Sequence, residues 1–197
     1  APAPIEEQAE TTRLVKAGVV NADPGQRVSV DVMIEPHGNE IAAGFTIDYN
    51  AARLRNAVVT LADGLPEGTV LTVNDNDTER GRLGILIDST GPLARGSSAT
   101  RLVTITFDVA ANAPGGEARI RFTDGLAKRA MSDELGNKLE ARYTDGAVMI
   151  SGPEAQGYEL TGRVTTADGR GLRNAQVTIV DASGYARTVT TGTFGYY

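Results

Sequence analysis

The chain has no cysteine and no tryptophan among its 197 residues, and only 5% of its residues are aromatic. The absence of cysteine excludes disulfide bridges, thiol nucleophiles and thiolate metal sites. The absence of tryptophan, with few other aromatic residues, argues against a stacking platform for sugar rings.

Histidine and lysine are also scarce. His37 is the single histidine, and Lys16, Lys128 and Lys138 are the only lysines. A single histidine in a polar loop provides neither a convincing Ser-His-Asp triad nor a two-histidine metal motif. The sequence therefore predicts a protein that is not an enzyme.

The charge balance and the lack of long apolar runs limit the possible partners. The net charge of −6 makes nucleic acid an unfavourable ligand. No stretch approaches the roughly 18 apolar residues of a membrane-spanning helix. The opening APAPIEEQAE is typical of a mature exported chain, and it also fits a chain that was shortened in another way. We therefore expect a secreted or cell-surface protein, bacterial in origin, with residues 1–12 as a leader or linker.

Short apolar runs separated by turn residues dominate the rest of the chain. Residues 27–34 and 102–109 alternate between apolar and polar side chains, which is the period of a half-buried strand. Residues 143–150 are predicted to form a further strand. Strands recurring with turn signals between them favour an all-β protein built as a β-sandwich over residues 13–150.

The C-terminal part is separated by a change of composition. Residues 151–156 read SGPEAQ and are predicted to be a linker. Residues 157–197 show a strand and turn pattern that ends in an aromatic cluster. Three or four strands with one apolar face need another surface to cover that face. Either the first part of the same chain covers it and the protein is a monomer, or another molecule does.

One acidic loop offers candidate metal ligands. Calcium prefers six to eight oxygen ligands, which loops at the end of a sandwich can provide. The EF-hand spacing is absent, and a solvated turn explains the loop equally well. The candidate calcium ligands are Asn74, Asp75, Asn76, Asp77 and Glu79.

Residues 13–150 resemble a cohesin-type module. The resemblance is carried by GVVNADPGQRVSVDVMIEP, IAAGFTIDYNAARL, GILIDSTGP and RLVTITFDVAANAPGG. It implies a β-sandwich of jelly-roll type that binds dockerins. Under this hypothesis the chain is a binding module for a dockerin-like protein or a surface glycan.

Residues 157–197 resemble the first half of a carboxypeptidase regulatory-like, transthyretin-like domain. The text that carries this resemblance is LTGRVTTADGRGLRNAQVTIVDASGYARTVTTGTFGYY. The family's domain continues beyond an FGYY strand, so this resemblance implies an incomplete β-sandwich segment.

An incomplete sandwich favours a different function, which is our first hypothesis: the protein is an exported, non-catalytic structural or adhesive subunit that self-assembles, and the binding module is the alternative. A neighbour's strand would fill the open edge, and head-to-tail repetition would build a filament or matrix of copies of this chain. Residues 1–20 would be the donated strand and residues 157–197 the receptor. The predicted assembly interface contains Leu14, Val15, Val177, Ile179, Phe194, Tyr196 and Tyr197.

Overall fold

The computed structural model describes residues 12–94, 98–152, 160–180 and 186–197. These residues form strands, turns and one short 3₁₀ helix, and no α-helix is found within them. The all-β prediction is therefore confirmed. The chain divides into two compact units, Ala1–Glu154 and Ala155–Tyr197. The predicted leader lies outside the described residues except for Thr12, as does most of the predicted linker.

The first unit contains twelve of the described strands, arranged in two sheets. In chain order they are β1 (Arg13–Ala17), β2 (Val19–Ala22), β3 (Arg27–Glu35), β4 (Ala42–Asp48), β5 (Leu54–Leu61), β6 (Val70–Asn74), β7 (Arg82–Asp88), β8 (Thr100–Val109), β9 (Gly116–Thr123), β10 (Ala130–Ser132), β11 (Ala141–Thr144) and β12 (Gly146–Ile150).

The first sheet has five strands in the order β11-β1-β3-β8-β5. Its centre is the antiparallel pair β3 and β8, in which Val30 lies opposite Ile105 and Val28 opposite Phe107. These side chains point inward and are buried, as their alternation predicts.

The second sheet has seven strands in the order β2-β12-β9-β4-β7-β6, with β10 also paired to β4. Strand β4 pairs along its whole length with β7. On its other side it pairs with β9 at Thr46–Asp48 and with β10 at Ala42–Gly44. The chain between β9 and β10, residues 124–129, leaves the sheet plane.

The core lies between the two sheets. Phe45 and Ile85 come from the seven-stranded sheet and Phe107 from the five-stranded sheet, and all three are fully buried. Phe45 meets the edge of Phe122, with ring centroids 5.3 Å apart. Edge-to-face packing of this kind adds to the stabilisation from burial. The predicted β-sandwich is confirmed.

Both ends of the first unit change from one sheet to the other. Strand β1 pairs in parallel with β11, and β2 pairs in parallel with β12. The prediction of one strand over residues 143–150 is therefore wrong. Asp145 separates two strands in different sheets, and its carboxylate accepts a hydrogen bond of 2.9 Å from the Phe122 amide.

A buried ion pair fastens the start of β1 to the loop before β4. Arg13 bonds to Glu40, whose side chain is fully buried. The same carboxylate accepts hydrogen bonds from the backbone N–H groups of His37, at 2.8 Å, and Gly38, at 2.9 Å. Burial raises the pKa of Glu40, but the backbone N–H groups and the Arg13 guanidinium outweigh burial and hold that pKa below its ordinary value.

The second unit contains an antiparallel hairpin of β13 (Gln176–Val180) and β14 (Ala186–Thr190). Val177 lies opposite Val189, and Thr178 opposite Thr188. The C-terminal residues join residues 162–165 through reciprocal backbone hydrogen bonds between Gly162 and Tyr197, both 3.1 Å. Among the described residues of this unit, only Thr191 and Gly195 are buried.

Candidate functional site

The outer face of the five-stranded sheet is lined mainly by polar side chains that bond to one another. Thr104 donates to Asp31 over 2.6 Å, and the hydroxyls of Ser29 and Thr106 lie 3.0 Å apart. Arg27 and Asp108 form an ion pair of 2.9 Å. Among the described residues, the large apolar side chain that this face exposes is Val58, on the edge strand β5. A face of satisfied polar groups has little to gain from association.

The outer face of the seven-stranded sheet exposes more apolar surface. Leu86 on the interior strand β7 is 49% exposed, and Val70 on the neighbouring β6 is 58% exposed. Val19 and Met149 add exposed apolar surface at the opposite end of the sheet, where β2 pairs with β12. Exposed apolar side chains grouped on one face are typical of a protein-binding surface.

Residues 124–129 cross over this outer face, and we call them the crossing segment. Thr46, fully buried on β4, fixes the crossing segment through its hydroxyl. The hydroxyl donates to the Ala127 carbonyl over 2.7 Å and accepts from the amides of Leu126 and Ala127 over 2.9 and 2.8 Å. One side chain therefore satisfies three backbone groups of the crossing segment.

Two glycines leave room for the crossing segment to lie close to the sheet. A Cβ atom on Gly84 would come within 2.9 Å of the Leu126 Cβ atom. A Cβ atom on Gly44 would lie 3.0 Å from both the Lys128 carbonyl oxygen and a methyl carbon of Leu86. Gly84 on β7 pairs directly with Thr46 on β4. The Thr46 hydroxyl therefore lies next to the space that the missing Gly84 side chain leaves for the crossing segment.

A groove of about 670 Å³ runs beside the crossing segment. Its lining includes the β4 residues Ala42, Ala43 and Gly44, Leu86 on β7, and Ala130 next to the crossing segment. Lys128, Lys138 and Asp88 also line it. A groove with an apolar wall and charged groups around it suits a partner that inserts an apolar side chain and surrounds it with polar contacts.

The ends of the crossing segment are tied together by Asp124 and Arg129. The Arg129 guanidinium bonds to the Asp124 carboxylate, with a shortest distance of 2.8 Å, and lowers the Asp124 pKa to about 2. Arg129 also lies over the ring of Tyr143, 5.9 Å from its centroid. This arrangement stabilises the crossing segment where it returns to the sheet.

Tyr143 should show a late titration. Burial raises its pKa to about 12, with Arg129 opposing the shift and Asp124 adding to it. The unfolded phenol ionises near pH 10, so the folded state retains a proton that the unfolded state loses between about pH 10 and 12. The free energy of unfolding should therefore fall over this interval more steeply than in Tyr143→Phe. Urea unfolding at several pH values tests this, and equal slopes in the two proteins would contradict it.

The predicted calcium ligands lie at the end of β6 and in the turn that follows. Asn74 accepts hydrogen bonds from the backbone and side-chain amides of Asn76, and Asp77 pairs with Arg80 at 3.2 Å and Arg82 at 3.6 Å. Asp75 lies in the turn and Glu79 in the short 3₁₀ helix Thr78–Arg80. Within the described ranges, no three acidic or histidine side chains group as a metal site. The calcium site stays a prediction.

Strand β1 contains two of the predicted assembly residues and is itself part of the sandwich. Val15 is 1% exposed and lies in the core, and Leu14 is half-buried on the same strand. Strand β1 is already paired on both sides, with β11 and β3. This part of the chain cannot be donated to a neighbour without opening the first unit, so filament formation through it is not supported.

The other predicted assembly residues lie in the second unit. Val177 and Ile179 are half-buried on β13, with Tyr197 half-buried near the end of the chain. Phe194 and Tyr196 are 70% and 61% exposed, and the ring of Tyr196 lies 5.3 Å from the Arg163 guanidinium. Phe194 and Tyr196 therefore lie at the surface of their unit, and the role of all five residues in assembly stays a prediction.

A family model, described as the cohesin domain, matches residues 14–150. The chain belongs to the cohesin family. Cohesin domains are non-catalytic modules for protein interaction. A comparison with curated proteins finds no match. In the part of the chain that the structure describes, no helix is both long and apolar enough to span a membrane.

Solved cohesin structures share this fold at low sequence identity. A Clostridium thermocellum structure of the Coh-OlpA–Doc918 complex matches with 20% identity and a TM-score of 0.59, covering 71% of this chain and 99% of that chain. The sixth cohesin of Acetivibrio cellulolyticus scaffoldin B, in complex with a Cel5 dockerin, matches with 21% identity and a TM-score of 0.62, covering 72% and 100%. A non-cellulosomal cohesin from the archaeon Archaeoglobus fulgidus matches with 16% identity and a TM-score of 0.56, covering 73% and 94%.

Proposed function

We propose that this cohesin is a non-catalytic binding module that captures a dockerin-like protein on the outer face of its seven-stranded sheet. The observation that carries the proposal is the groove beside the crossing segment, with Leu86 exposed on an interior strand. An apolar side chain that is exposed on an interior strand of a sheet is removed from water when a partner docks on that face. Its burial then stabilises the complex.

The opposite face of the sandwich supports this choice of surface. Its acids Asp31 and Asp108 are already paired with Arg101 and Arg27. A partner on that face would have to displace hydrogen bonds that the domain already makes with itself. Two of the solved relatives, Coh-OlpA and the scaffoldin B cohesin, were solved in complex with dockerins.

Export to the cell surface fits this function, because a dockerin-bearing partner and its cohesin then meet outside the cell. We also propose that residues 157–197 correspond to part of a transthyretin-like domain. The hairpin of β13 and β14 supports this assignment, since it contributes two antiparallel strands.

Binding to a panel of purified dockerin modules tests the proposed function. The panel should include Doc918 and the Cel5 dockerin, immobilised for biolayer interferometry. Replacing Leu86 by aspartate places a charge in the groove, and we expect the Kd of the tightest dockerin to rise about 30-fold or more, as for a central interface residue.

Val58→Asp is the matched control, because Val58 is 52% exposed on the other sheet. It should leave the Kd within about twofold, as expected for a surface change away from the contact. Equal losses in the two variants would show that the outer face of the seven-stranded sheet is not the binding surface. An absence of binding across the whole panel would refute dockerin capture.

A further inference from the structure

We propose that Thr46 determines which partners the outer face accepts, by holding the crossing segment as a ridge across it. This inference rests on the proposed function and concerns the same face. The partner it selects is a dockerin-like protein that places an apolar side chain in the groove beside the ridge.

The geometry separates Thr46 from an ordinary buried threonine. Its hydroxyl makes three hydrogen bonds of 2.7 to 2.9 Å, all to the crossing segment. The side chain points to the outer face of the sheet, away from the core between the sheets, and is fully buried because the crossing segment covers it. Its removal would therefore act on the outer face before it acts on the core.

The ridge limits the shape of a partner. With residues 124–129 fixed over β4 and β7, a flat surface cannot rest on the centre of the sheet. A partner can instead contact the groove, which is lined by Leu86, Gly44 and Ala130. It can also contact Lys128, which belongs to the ridge and lines the groove. Lys128 is exposed and forms no ion pair within the described residues. A partner with an apolar side chain next to a carboxylate fits this combination.

Thr46 is a positioning residue, so its test needs a readout that lost stability alone would not change. Thr46→Val keeps the shape of the side chain and removes the hydroxyl, whereas Thr46→Ser keeps the hydroxyl. The probe is the dockerin of the panel that binds the unmodified chain most tightly. We expect its Kd to rise about tenfold with Thr46→Val, equivalent to the loss of about 1.4 kcal/mol, and to change less than about twofold with Thr46→Ser.

Selectivity is the second readout. The ratio between the Kd values of the weakest and tightest dockerins should shrink in Thr46→Val, because a loosened ridge no longer excludes poorly fitting partners. Hydrogen exchange of the Leu126 and Ala127 amides should accelerate in Thr46→Val and stay slow in Thr46→Ser.

Gly84→Ala gives the same test without touching Thr46. The added Cβ atom would push on Leu126 from the neighbouring strand, so the same loss of affinity and selectivity is expected if the ridge sets the specificity. This variant keeps the proposal testable if Thr46→Val does not fold.

Faster amide exchange with unchanged Kd values across the panel would overturn the inference while leaving dockerin capture intact. Failure of the unmodified chain to bind any dockerin would overturn both, and it is recognised before any variant is measured.

Discussion

Replacing Glu40 by glutamine should lower the free energy of unfolding by about 3 kcal/mol, the usual result of breaking a buried ion pair. The amide cannot neutralise Arg13, which is 8% exposed. The Glu40 carboxylate accepts hydrogen bonds from three donors, namely Arg13 and the backbone amides of His37 and Gly38. The NH₂ group of a glutamine would face at least one of these donors, and that hydrogen bond would be lost. Since the chain has no tryptophan, urea unfolding is best followed by circular dichroism.

Glu35→Gln is the control for that experiment. Glu35 pairs with Lys16 at 2.8 Å, but both side chains are more than 40% exposed. An exposed pair contributes about 1 kcal/mol or less, so this variant should stay close to the unmodified chain. Similar losses of unfolding free energy in the two variants would show that the buried Arg13–Glu40 pair stabilises the fold no more than an exposed pair does.

The pH dependence of Glu40 follows from its lowered pKa. The folded carboxyl releases its proton more readily than the unfolded one. Its contribution to the free energy of unfolding is therefore fully present at pH values above the unfolded pKa. It is lost as the pH falls through the folded pKa. In Glu40→Gln this acid-dependent loss of stability should be smaller than in the unmodified chain.

Replacing Gly146 by alanine should also cost about 3 kcal/mol, at the upper end of what overpacking a core usually costs. The new Cβ atom would collide with the Gly18 carbonyl oxygen and would lie 2.8 Å from two atoms of Ala17. Two of these three atoms belong to the backbone where β1 ends and β2 begins, so no side-chain rotation relieves the clash. The clash would push the turn between β1 and β2 away from the turn between β11 and β12, the two places where the chain changes sheets.

Gly91→Ala is the matched control, because no atom lies within 4 Å of the position that its new Cβ atom would take. We expect it to change the free energy of unfolding by less than about 0.5 kcal/mol. A loss below about 1 kcal/mol in Gly146→Ala would mean that the corner yields easily and that the close approach there is not important for stability.

Much of the sandwich could be read from the sequence, because alternation reports which face of a strand is buried. Residues 27–34 and 102–109 became β3 and β8 with their apolar side chains inward. The change of sheet at Asp145 was missed, although a signal for it exists. Tyr143 is inward on β11 and Val148 inward on β12, so the alternation changes phase at the Asp-Gly pair between them.

The crossing segment could not be predicted from local pattern. Thr46 reads as one polar residue in an alternating strand, and its partners Leu126 and Ala127 follow some eighty residues later in the chain. Leu86 lies in the continuous apolar run of residues 83–87, which suits an interior strand such as β7, but the run does not indicate that the Leu86 side chain stays open to solvent. Contacts between distant residues decide both features, and periodicity within one strand carries no information about them.

The parallel pairing of the first and last strands of the first unit has a consequence for its synthesis. Arg13 lies opposite Ala141, and Ala22 opposite Ile150, so β1 and β2 wait for β11 and β12 until residue 150 has left the ribosome. Until then β1 lacks its neighbour β11, and β2 and β9 lack their neighbour β12, so chains made at the same time can pair at these edges. Folding of the cohesin should therefore be completed after synthesis of the whole unit, and slow translation beyond residue 150 would favour the correct pairing.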